Sequence, residues 1–182
     1  RAFSRTADAK AMYIGALAKN PNIRDANYFL AYMYYEAKQP EQMLPLTERL
    51  IAIDPSNGDN YLMRAYAYQL MTAAEGDPRK KAELQKQMDE FAGKETALST
   101  QHKLLITRFE RRTAGAALAG VIENFSKTAR SFTLKMEFLD TAGNVLETVT
   151  TEVANVKPGE RGTFELLPTT AGIVAYRYEA LK

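Results

Sequence analysis

Residues 50–70 read LIAIDPSNGDNYLMRAYAYQL. An amphipathic segment runs to Ile53 and must stop at Asp54-Pro55, because the residue before a proline is pushed out of the helical region. Ser56-Asn57-Gly58 supplies turn formers, and Asp59 is placed to cap a new helix crowded with tyrosines. The same grammar occurs upstream in GALAKNPNIRDANYFLAYMYYEA, residues 15–37, and Pro55 follows Pro21 by 34 residues. A break that recurs at this interval predicts stacked helix pairs, since one such pair cannot bury its apolar face alone.

On either side of this stretch the helical period continues. In ADAKAMYIGALA, Ala9, Met12, Tyr13, Ala16 and Leu17 share one face. Asp25 is expected to cap ANYFLAYMYYEAK, and Pro40 to open EQMLPLTERLIAI, with Pro45 delaying or kinking that helix. Asp77-Pro78 reads as a cap followed by a first-turn proline, starting a long helix. Its apolar residues Leu84, Met88, Phe91 and Leu98 form a narrow stripe, as in the last helix of a stack.

From about residue 103 the period changes to two. KLLITRFERR, ALAGVIENFS, SFTLKMEFLD, NVLETVTTEV, GTFELLP and IVAYRYEAL are short and rich in Val, Ile, Thr, Phe and Tyr. TAGN at 141–144 and KPGERG at 157–162 are turn clusters between them. The expected architecture is therefore a helical repeat domain over 1–100 and a small antiparallel β-sandwich over 103–182. Polar connections are expected at Leu98–Lys103 and in AEGDPRKK, residues 74–81.

The helical pattern resembles the tetratricopeptide repeat. Ala9, Tyr13, Ala16 and Pro21 match the small, aromatic, small and terminal-proline positions of a second helix. Leu30, Ala31, Tyr34 and Pro55 belong to the next unit, and Tyr61, Ala65 and Tyr68 to the third. Met43 and Thr47 depart from the pattern, as does Arg64 where leucine is usual. Tyr13, Tyr34, Tyr61 and Tyr68 read as core residues. Tyr28, Tyr32 and Tyr35, spaced by four and three, lie on one helical face. The resemblance points them into a concave groove, joined by Leu62, Tyr66 and Gln69, the alternative being that they pack against a further N-terminal repeat or the β domain. Tyrosines there offer rigid apolar area with a hydroxyl, which suits recognition of a peptide or helix.

The β half resembles the FxLYD-type sandwich, an immunoglobulin-like domain found mostly in prokaryotic envelope proteins. The matching pieces are Gly120-Val121, Asn124, Phe138-Leu139-Asp140, Gly143, Pro158-Gly159-Glu160 and Phe164. Met136 stands where the naming motif has its first phenylalanine, and Leu139 where it has tyrosine. The resemblance implies an extracytoplasmic setting, periplasm or cell surface. The opening RAFSRTADAK has no initiator Met and reads as mid-helix, which suggests a mature or trimmed product.

Chemistry is sparsely provided for. Cysteine is absent, so thiolate metal sites, disulfides and cysteine nucleophiles are excluded. His102 is the single histidine. Gly93-Lys94 lacks the upstream glycine and following hydroxyl of a phosphate loop. Asn124-Phe125-Ser126 is a glycosylation triplet, of a kind that also arises by chance. Net charge is +2 with both signs interspersed, which argues against nucleic acid. No apolar run reaches the ~20 residues of a membrane-spanning helix. The expectation is a non-catalytic adaptor or scaffold without metal or cofactor, its groove holding a partner protein's peptide or helix. The alternative is a structural subunit of a larger extracytoplasmic assembly with no groove ligand.

Overall fold

The computed structural model describes residues 2–181, with side chains from residue 7 onward. The reading of the opening as mid-helix includes Arg1, which lies outside the described residues. Five helices come first: α1 (Ala2–Lys19), α2 (Arg24–Glu36), α3 (Pro40–Ile53), α4 (Gly58–Ala74) and α5 (Pro78–Ser99). Six strands follow: β1 (His102–Arg111), β2 (Ala116–Asn124), β3 (Arg130–Leu139), β4 (Val145–Val156), β5 (Arg161–Leu166) and β6 (Ala175–Tyr178).

The helix breaks fall at the prolines, but two caps differ from expectation. Asp25 does not cap α2. Ile23 holds the cap position without a side-chain bond, and Asp25 sits exposed in the first turn beside Arg24. The turn is fastened by Asn27, whose buried amide donates to the carbonyls of Pro21 and Ile23, both at 2.9 Å. Asp59 does not cap α4 either. Asn57 does, its side chain accepting from the Asp59 N–H at 3.1 Å, because Gly58 is already helical. Asp77 caps α5 as read, accepting from Arg79 and Lys80 N–H. α3 starts at Pro40 and continues through Pro45 without delay. Pro45 lies near the helix start, where the loss of its own N–H forfeits a single ladder bond.

The helices pack through small residues and methionines. Ala31, Met43 and Ala67 are fully buried, with Leu30, Leu46 and Met63 around them. Short side chains let helix axes approach closely, and Met fills the irregular gaps that remain. α5 has no fully buried residue, and Phe91 on its stripe stacks on Tyr61 and Tyr68 of α4.

The strands form two three-stranded antiparallel sheets, ordered β1-β2-β5 and β4-β3-β6. β3 shows the pleat most clearly. Phe132, Leu134, Met136 and Phe138 are buried, while Thr133 and Lys135 face out. Gly120 on β2 is required by this core. A Cβ there would lie 2.4 Å from the Phe164 ring and 2.7 Å from the Leu105 carbonyl oxygen. Gly143 has φ of 88°, and its turn is closed by Asp140, whose carboxylate accepts from Ala142 N–H and Asn144 N–H. Asn124 of the glycosylation triplet is fully buried, donating to the Thr128 and Val156 carbonyls at 2.8 Å each.

Only Thr100 and Gln101 separate α5 from β1, and both are tied into the backbone network. The polar connection expected here is thus a bonded junction rather than a free linker.

Candidate interaction surface

The two halves meet at the turn 54–57. Asp54 is buried and accepts from Arg24 Nε at 2.8 Å, from Asn57 Nδ2 at 3.0 Å, and from the Tyr178 hydroxyl of β6. Tyr178 in turn accepts from Ser56 N–H at 3.4 Å, and Leu181 N–H donates to Ser56 Oγ at 2.9 Å. Asn60 completes the turn by donating to the Asp54 carbonyl at 2.8 Å. A second tie runs from Asn20 Nδ2 to the Val174 carbonyl at 3.4 Å. Burial, followed by the neighbouring Asp54 carboxylate, raises the pKa of the Tyr178 phenol well above its ordinary value, so it stays a hydrogen-bond donor. Tyr176 is raised for the same two reasons. The helix-stop signal in the sequence is also the joint of the molecule.

The tyrosine stripe lies elsewhere on the helical half. Tyr32 is 47% exposed. Its ring lies 6.4 Å from that of Tyr35, which stacks on Tyr66 of α4 at 5.2 Å. This pair bridges α2 and α4, and Leu62 and Gln69 lie about one turn to either side of Tyr66. Leu62 is half-buried and Gln69 exposed. Tyr28 is half-buried and meets Phe29 edge-on. Sequence reasoning missed Phe29, which is exposed and stacks on Tyr13 at 5.7 Å. A sixfold-aromatic surface therefore extends from α1 across α2 to α4. The carboxylate of Glu36, one turn on, raises the Tyr32 phenol above its ordinary pKa and keeps its proton in place.

The four tyrosines assigned to the core are only half-buried. Tyr13 and Tyr34 pack on the edge of the helical cluster, with Lys10 over the Tyr34 ring at 4.1 Å. Tyr61 and Tyr68 are covered on one side by Phe91. The helical core is narrow, and large rings at its margin remain partly wet. The buried tyrosines are Tyr176 and Tyr178 of β6.

Other chemistry is thin. His102 is buried against Phe132, and neither ring nitrogen has a hydrogen-bond partner. Burial and then the charge of Arg130 lower its pKa. Among the described residues no cluster of three or more His, Asp or Glu side chains is arranged to hold a metal ion. No described helix is long and apolar enough to cross a membrane.

Comparison with known proteins gives little further. No family model matches the chain, and no curated protein matches it. Among solved structures, the crystal structure of a DUF1425 family member from Shewanella sp. pv-4 aligns with a TM-score of 0.37 at 12% identity, covering 44% of this chain and 76% of that one.

Proposed function

We propose that the chain is a non-catalytic adaptor whose tetratricopeptide-like helices bind a peptide or helix of a partner protein in a prokaryotic cell envelope. The observation that carries this reading is the aromatic surface of Tyr32, Tyr35 and Tyr66, in which Tyr32 is exposed and the stacked Tyr35–Tyr66 pair is half-buried. It spans the two helices that the repeat resemblance assigns to the inner face. A contiguous aromatic patch that reaches the surface is a mark of an interaction site, and such rings are frequent hot spots of binding. The immunoglobulin-like sandwich, fastened to the helices through Asp54, sets the orientation of that surface. The envelope setting rests on the FxLYD resemblance of the β half.

The test is a pull-down from native lysate beside a thermal melt. Tyr32→Ala combined with Gln69→Ala removes exposed groups and leaves the Tyr35–Tyr66 stack in place. Association should weaken by about 2 kcal/mol with the melting temperature nearly unchanged. Retention of every partner by a normally folded variant would remove the groove as the working surface and favour the structural-subunit reading.

A further inference from the structure

A cleft runs along the seam between the halves, away from the tyrosine stripe. One part, about 240 Å³, is lined by Ile106, Thr107, Arg108 and Phe109 of β1, by Val174, Ala175 and Tyr176, and by the α1–α2 turn. A wider part, about 760 Å³, shares Ile23, Phe109 and Val174 with it and adds Met12, Ala16, Lys19 and Arg111. The wider part is mostly apolar, the narrow part more polar, and Phe109, shared by both, meets Tyr176 edge-on at 5.0 Å.

Two features define what fits there. The first is backbone. Side chains alternate across a strand, so a cleft that touches four consecutive residues of β1 and three around the start of β6 meets those strands edge-on. Each has a single neighbour in its sheet, but β6 is closed over by the helical half through Asp54, Ser56 and Asn20, so β1 carries the open edge of backbone donors and acceptors. A bulge between Ile106 and Arg108 also leaves Thr107 out of the pairing with β2. The second feature is charge. Lys19, Arg24, Arg108 and Arg111 line the cleft against one acid, Asp25. Arg24 pairs with Asp54 and Asp25, and Arg108 with Glu165. Lys19 and Arg111 make no ion pair among the described residues. Lys19 ends α1, where the helix dipole already favours a cation, but Arg111 has no such explanation.

We propose that this cleft is a second binding site, for an extended acidic peptide segment that adds as a strand along the β1 edge. Its apolar side chains would rest on Met12, Ala16, Ile23, Phe109 and Val174. Its carboxylates would meet Lys19 and Arg111 at the rim. Strand addition of this kind takes affinity from main-chain hydrogen bonds and selectivity from alternate side chains.

The experiment uses the 182-residue chain and short fluorescein-labelled peptides read by anisotropy. A peptide alternating glutamate with valine should bind, and weaken as salt is raised. The matching lysine–valine peptide should not bind. Replacing alternate residues with proline, which removes the ladder donors, should abolish binding. Lys19→Glu with Arg111→Glu should weaken binding at least roughly tenfold while the melting temperature falls only slightly, since both side chains are exposed and the loss is confined to the helix dipole at Lys19. Tyr32→Ala should leave this binding unchanged, which separates the site from the aromatic surface. The proposal is overturned by any of four results. These are no binding of the glutamate–valine peptide, equal binding of the lysine peptide, full binding of the proline peptide, or indifference to the charge reversals. Displacement of the peptide by dodecanoate but by no unlabelled peptide would assign the cleft to an amphiphile and also overturn it. So would a dimer of the chain that the charge reversals dissociate, which would make a second copy the occupant.

Discussion

The joint around Asp54 and the aromatic surface of α2 and α4 are both built from tyrosines beside polar groups, yet in opposite ways. At the joint the buried carboxylate and the phenol that meets it are both matched. Asp54 receives three donors, and Tyr178 both donates and accepts. On α2 the rings touch one another and leave Tyr32 and Phe29 open to water. A buried carboxylate tolerates no missing partner, because an unpaired charge in a low dielectric costs several kcal/mol. An exposed ring loses little when trimmed. The joint therefore carries stability, and the open rings are free to serve recognition.

The contrast implies a graded set of outcomes. Asp54→Ala should have the largest effect, about 3–5 kcal/mol by denaturant unfolding, because Arg24 and Tyr178 lose their shared partner. A loss under about 1 kcal/mol would show that the joint is peripheral. Tyr178→Phe keeps the ring and removes one donor to a buried oxygen, so about 1–3 kcal/mol is expected in the same assay. If Tyr178→Phe proves neutral, the hydroxyl is dispensable and packing alone joins the halves.

His102 should give a pH signature. Its folded pKa lies below the ordinary 6.5 through burial and Arg130, so protons bind the unfolded chain more readily. Its contribution is complete above that ordinary value and is lost as pH falls from there toward the folded pKa. His102→Phe should flatten the stability profile between pH 7 and 5, read by melting temperature. An unchanged profile would mean that the ring is already solvated. The smallest effect belongs to Tyr32→Ala, within about 0.5 kcal/mol in stability. A drop comparable to that of Tyr178→Phe would erase the distinction between the two regions.

Much of this was legible in the residues. Proline and turn chemistry located the breaks after Lys19 and Ile53, and alternation located all six strands. Those signals are local, since each depends on a few neighbouring side chains. The caps at Asp25 and Asp59 were misplaced because α2 and α4 each begin at an earlier residue. Asn57 caps α4 by accepting the Asp59 N–H, and the α2 turn is held instead by the Asn27 amide donating to the Pro21 and Ile23 carbonyls. The tyrosine stripe was placed by helical spacing, but Phe29 was missed because its stacking partner, Tyr13, comes from another helix.

Local pattern thus decides the order of helices and strands, the turns that separate them, and which residues share a face. The tertiary structure alone decides that Asp54, read as a helix stop, is the acceptor joining the halves across 124 residues to Tyr178. It also decides that the tyrosines of the helices remain half-buried or exposed while those of β6 are buried. The physical reason is range. A dihedral preference is set by neighbours in the chain, whereas the burial of a charge or a ring is set by whatever distant surface closes over it.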